Sequence, residues 1–156
     1  MIMSLSAMPD VELPIAGTIS SRASKLQGRD NTPADMLFRA LNLAFSNKSP
    51  ATAKPPPWRL AAFSKRLVMA SLHFPPATAS RALQFVVSLF ARESKLEVLL
   101  STDDRIADGV YRPEVDDPQV SNPFASNLWE LQILATRHAD SEVRKVAVEL
   151  LSFTHS

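Results

Sequence analysis

The chain is predicted to fold as an all-α, HEAT- or armadillo-like helical repeat, an α-solenoid fragment carrying one long, extended acidic loop. Three observations predict it. Apolar residues recur every three or four positions in several separate stretches, the spacing that lines one face of a helix. No stretch alternates apolar and polar residues over a useful length, as a half-buried strand would. Finally Pro33, Pro76 and Pro123, each placed to open a helix, stand 43 and 47 residues apart, close to the roughly 40–47-residue period of such repeats. Three helix pairs are expected to stack, over 33–73, 77–100 and 123–152, the middle one with a stunted second helix.

Residues 1–31 interrupt any period with Pro9, Pro14, Gly17 and Gly28, so they are expected to form a poorly ordered segment. The helical-repeat domain is assigned to 32–153. Thr32-Pro33-Ala34-Asp35 resembles a capping box with Asp in place of the usual Glu, and Met36, Leu37, Ala40, Leu41, Ala44 and Phe45 follow at helical spacing. The spacing predicts a helix from about Pro33 to Phe45. Residues 47–57 form a proline-rich connector in which Pro55, Pro56 and Pro57 favour polyproline II. It is read as a spacer between helices, with partner binding as the alternative.

A second helix runs from Pro57 to His73, with Leu60, Phe63, Leu67, Ala70 and Phe74 in line and Arg59, Lys65 and Arg66 flanking that stripe. Pro75-Pro76 ends it and starts a third, whose inward residues are Ala79, Ala82, Leu83, Val86, Val87 and Phe90. A short fourth helix covers Lys95 to Leu100 with Ser94 as its cap. Leu100 to Ser121 then loses the helical period, contains Gly109, Pro113 and Pro118, and is acidic. Loops this long inside compact domains are functional or disordered. Val110, Tyr111 and Val115 are apolar enough to pin it, which predicts an ordered, extended strap.

The last pair opens at Asn122-Pro123, read as an N-cap followed by proline at the first helical position. Phe124, Leu128, Leu131 and Ala135 form one apolar stripe, and Trp129 with Ile133 a second, so this helix is expected to be sandwiched. Trp129 is accordingly read as core, the alternative being an exposed anchor for a partner. Asp140 or Ser141 caps the final helix, which buries Val143, Val146, Ala147, Leu150 and Leu151 and leaves Glu142, Lys145 and Glu149 to water. This last segment resembles the inner helix of a HEAT repeat.

At 156 residues the chain is one domain by length, and 46% hydrophobic against 21% charged residues argues against global disorder. A net charge of +1 gives no overall pull toward nucleic acid or acidic membranes. The absence of cysteine excludes disulfides and thiolate metal sites. No apolar run approaches the roughly 20 residues that cross a bilayer. The first 17 residues lack the basic start and apolar core of a signal peptide. A soluble, intracellular chain without a membrane partner is expected.

Chemistry is hard to find. His73, His138 and His155 are far apart, and the first two are placed at helix ends, where a cationic ring suits the dipole. The three glycines are scattered, which removes a phosphate-cradling loop. Asp103-Asp104 and Asp116-Asp117 lack calcium-loop spacing and are read as solvated loop. No nucleophile–base pair stands out, so the chain is read as a non-enzyme with no cofactor. Its candidate surfaces are a basic ridge of Arg59, Lys65 and Arg66, able to meet RNA phosphate or simply solvated, and a strap surface of Tyr111, Asp116 and Asp117.

Several blocks in order carry a specific resemblance. They are Ala62-Phe63-Ser64-Lys65-Arg66-Leu67, Ser71-Leu72-His73-Phe74-Pro75-Pro76, Lys95-Leu96-Glu97 with Leu99-Leu100, 109–118 (GVYRPEVDDP), Asn122-Pro123 and Leu128-Trp129-Glu130-Leu131. Together they resemble the CCAAT-binding-factor-like domain of the nucleolar complex (Noc) proteins, most of all the branch of third Noc proteins, over about Pro33 to Phe153. The likeness is to the C-terminal part of these much longer proteins. Arg137-His138-Ala139-Asp140 stands where the family usually has a His-x-His-Pro-like turn. The resemblance implies a helical-repeat assembly factor for the large ribosomal subunit, placed in the nucleus and nucleolus, with the second Noc protein and pre-ribosomal particles as partners. It also implies a link to replication initiation on chromatin. A generic HEAT-type adaptor is the remaining alternative.

Overall fold

A computed structural model describes residues 32–45, 54–101 and 109–153. The expectation of a poorly ordered segment at 1–31, most of the proline-rich connector, the first half of the acidic loop and His155 lie outside the described residues. Among the described residues five α-helices follow one another: α1 (Pro33–Ala44), α2 (Pro57–Ser71), α3 (Pro76–Phe90), α4 (Glu130–Arg137) and α5 (Ser141–Ser152). Two 3-10 helices, Ser94–Leu100 and Pro123–Ala125, lie between α3 and α4. The described residues contain no strand.

The starts of the helices follow from their sequences. Thr32 accepts the Asp35 N–H at 3.2 Å while Asp35 Oδ2 accepts the Thr32 N–H at 3.3 Å, a complete capping box. Pro57 and Pro76 occupy the first positions of α2 and α3, where a missing N–H costs nothing. At α5, Asp140 Oδ1 accepts from Glu142 N at 2.9 Å and Val143 N at 3.1 Å. Its expected buried face is present except that Leu151 is only half covered.

The pairing is shifted by one element from the expected one. α2 turns back through Leu72–Pro75 into α3, α4 turns back into α5, and the two hairpins stack with α3 on α5 and α4 against α2. Two stacked antiparallel pairs are the arrangement of an α-solenoid fragment. α1 does not pair with α2 and instead touches both α2 and α3. Phe45 sets its ring edge-on to Phe63 and Phe85 at centroid distances of 4.9 and 6.0 Å. Arg81 lies over Phe38 and bonds Asp35 at 2.8 Å, and Arg92 donates to the Phe45 carbonyl at 2.9 Å.

Three further expectations are corrected. Asn122 does not cap a long helix: its backbone is left-handed at φ 49°, Pro123 opens only one 3-10 turn, and the α-helix begins at Glu130. The chain gains more by extending here, because Leu128 then sinks to the core while its N–H donates to the Leu99 carbonyl at 2.7 Å. The stunted fourth helix at Ser94–Leu100 is a 3-10 helix that buries Leu96, Leu99 and Leu100, with no cap from Ser94. Nor is the strap extended over 109–121. It folds back on itself, with Arg112 N–H donating to the Ser121 carbonyl at 2.9 Å and Ser121 N–H to the Asp117 carbonyl at 3.0 Å.

Candidate protein-interaction surface

The candidate residues gather on one side of α2, in roles the sequence did not suggest. Lys65 is no part of a solvated ridge, being only 2% exposed. Its ammonium donates to Glu130 Oε1 at 2.6 Å, Glu130 Oε2 at 2.8 Å and the Asn127 carbonyl at 2.7 Å. Those three acceptors satisfy all three of its N–H groups. Glu130, in the first turn of α4, is fully buried, so the pair ties α2 to α4 out of reach of water. The sequence did hold a signal. Ala61, Ser64, Lys65, Val68 and Ser71 recur at helical spacing and are all buried, a second inward stripe that passes through Lys65.

Arg66 reaches outward to the strap, donating to the Val115 and Asp116 carbonyls. Arg59 is exposed and rests against Phe45 at 5.9 Å, at the α1 end of the helix. The three basic residues therefore have three different roles, and Lys65 does not share a surface ridge with Arg59 and Arg66.

Tyr111 sits half-buried with its ring 5.9 Å from the Lys65 ammonium. Its hydroxyl is withdrawn from water and makes no hydrogen bond of good geometry, although the Arg66 guanidinium is near enough to act on it. Burial pushes the phenol above its ordinary 10.0, while the charge of nearby Arg66 opposes that rise. Val115 is partly covered as expected, but Val110 is 74% exposed and pins nothing. Asp116 and Asp117 both face solvent, and Asp117 caps its own turn by accepting the Gln119 N–H at 2.8 Å. No group of three or more metal-ligating side chains occurs among the described residues.

Trp129 is the second correction at this site. It is 53% exposed, and its ring lies 5.6 Å from the same ammonium. Ile133, the other member of its stripe, is also exposed. The stripe mimics a second buried face, but no described element lies over it. His138 Nδ1 accepts the Asp140 N–H at 3.1 Å within the turn. Arg144 spans that turn and bonds the His138 and Ala139 carbonyls at 2.6 and 2.8 Å, which closes the joint where the family pattern departs.

These features define a helical-repeat module whose strap and α4 are fastened to α2 around one buried ion pair. The chain belongs to the CBF/Mak21 family, whose model matches residues 27–147. Among curated relatives it is 35% identical over 123 residues to nucleolar complex-associated protein 3 of Schizosaccharomyces pombe, covering 79% of this chain and 16% of that protein. It is 33% identical over 122 residues to the protein of the same name in Saccharomyces cerevisiae, covering 78% and 18%. The human nucleolar complex protein 4 homolog is 36% identical over 94 residues, covering 59% and 18%. The chain thus spans less than a fifth of the length of these relatives.

Proposed function

We propose that the chain is a non-catalytic helical-repeat scaffold in ribosome biogenesis, acting in the nucleolus on precursors of the large subunit and on their movement within the nucleus. Its partner on this reading is another nucleolar complex protein, the second member of the family, within pre-ribosomal particles. Membership of a family whose relatives are named nucleolar complex proteins carries the proposal. The geometry supports it in kind, because the notable polar groups, Lys65, Glu130 and Arg66, fasten one element to another. A scaffold needs such fastening to hold a binding surface in shape.

The test is to express the tagged chain in cells and compare sedimentation with nuclear pre-ribosomal particles against extraction with chromatin. Co-migration with large-subunit precursors is expected. Recovery with chromatin alone would favour a replication role instead, and recovery in neither fraction would leave only a general adaptor.

A further inference from the structure

The face that Trp129 and Ile133 present on α4 has the properties of a docking surface. Trp129 is held at its base, because Leu128 before it and Glu130 after it are both buried and the Lys65 ammonium abuts its ring. An indole fixed in this way loses little freedom on binding, and tryptophan is the residue type that most often dominates binding energy at interfaces. Ile133 lies one helical turn further along and extends the apolar stripe.

The neighbouring strap supplies the charge. The Tyr111 and Trp129 rings lie 5.9 and 5.6 Å from the same Lys65 ammonium, so the strap and the indole converge on one point. Glu114, close enough to act on the Tyr111 phenol, and Asp116 and Asp117 are all exposed, with no cationic partner among the described residues. Lys65 is engaged with Glu130 and Arg66 with backbone carbonyls, which leaves Arg112 as the one cation among the described strap residues, set against three carboxylates. An apolar stripe at helical spacing, edged by carboxylates, complements a helix with one apolar and one basic face. The same carboxylates repel phosphate and so disfavour nucleic acid here.

We propose that the Trp129–Ile133 face, with Glu114, Asp116 and Asp117 at its edge, docks a basic amphipathic helix of a protein partner. This deepens the scaffold reading by giving the partner's chemistry, and it rests on purified components, so its failure would leave the sedimentation result standing.

The experiment uses the full chain carrying Trp58→Phe, which makes Trp129 its only tryptophan. The probes are a synthetic Leu/Lys amphipathic helical peptide, its Leu/Glu counterpart and oligouridylate. Trp129 emission should shift to the blue and saturate with the Leu/Lys peptide, and affinity should fall several-fold in Asp116→Asn/Asp117→Asn. By anisotropy of a labelled peptide, Trp129→Ala should weaken binding by about thirtyfold with its helical circular dichroism unchanged. Equal binding of both peptides, no saturable shift with Leu/Lys, or a shift with oligouridylate would each overturn the proposal. So would a shift that depends on protein concentration without peptide, which would identify a second copy as the occupant.

Discussion

Replacing Glu130 by Gln would remove one charge and almost no volume, yet it should be among the most damaging single changes in this chain. Lys65 is 2% exposed and Glu130 fully buried, so the variant leaves an ammonium in the interior facing only neutral acceptors. The amide would also turn a donor toward an Nζ whose two contacts were 2.6 and 2.8 Å. Breaking a buried pair from one side costs about 3–5 kcal/mol, which is a large share of the stability of a small domain. Lys65→Met strands the carboxylate in the same way and should cost about as much. The double variant Lys65→Met/Glu130→Leu leaves no buried charge, and its stability should return to within about 1–2 kcal/mol of the parent. Urea unfolding followed by circular dichroism measures all four species at neutral pH. If a single variant is unfolded outright, the double variant should still recover the helical signal. Additive losses in the double variant, or single losses below about 1 kcal/mol, would refute the reasoning. Reversing Lys65 and Arg66 to Glu, which a solvated ridge would tolerate, should for the same reason abolish folding.

Other outcomes follow from the geometry. Tyr111→Phe removes a buried hydroxyl that makes no hydrogen bond of good geometry, so thermal unfolding should show no loss or a gain of up to about 1 kcal/mol. Because the Tyr111 phenol is held above 10.0, its contribution is complete below that value and is lost as pH rises through the folded-state value; the Phe variant should lack this alkaline loss. Asp35 is held below its ordinary 3.8, chiefly by its bond to Arg81 and then by Thr32. The stabilisation it gives is present above that value and disappears as pH falls below it, so melting temperatures of the parent and Asp35→Asn should converge in acid. Asp140→Ala should cost about 1–2 kcal/mol in urea unfolding, since one carboxylate oxygen caps two N–H groups. Gly109→Ala places a Cβ 2.7 Å from Asn122 Nδ2 at a φ of +111°, and limited proteolysis should then cut the strap more readily.

Local signals in the sequence translated well. α1, α2, α3 and α5 begin where a capping residue or a first-turn proline says they should, and each keeps its apolar period. Long-range partnerships were not legible. Lys65 and Glu130 are 65 positions apart, and nothing near either one announces the other. The failure at Asn122 has a different cause. Phe124, Leu128 and Leu131 are spaced for a helix, yet Leu128 reaches the core from extended backbone because its N–H finds the Leu99 carbonyl. Trp129 was misread for a related reason: periodicity shows that a stripe exists but not whether another element lies over it. The helix pairing was displaced because Phe45 sets its ring against both Phe63 of α2 and Phe85 of α3, a long-range contact that periodicity does not encode.

The strap is closed at its neck. Gly109 and Asn122, both in left-handed backbone, meet across it, and just inside them the Arg112 N–H reaches the Ser121 carbonyl. Arg66 grips it once more, at Val115 and Asp116. With its ends fixed, the length of chain beyond Asp116 is decoupled from the helices, because closing a longer loop costs only a slowly rising, logarithmic entropy. The turn around Pro118–Val120 is therefore the place where residues can be added or removed while α2 and α4 keep their positions. That makes the turn a natural site of drift in length, and a practical point for inserting a tag or a reporter.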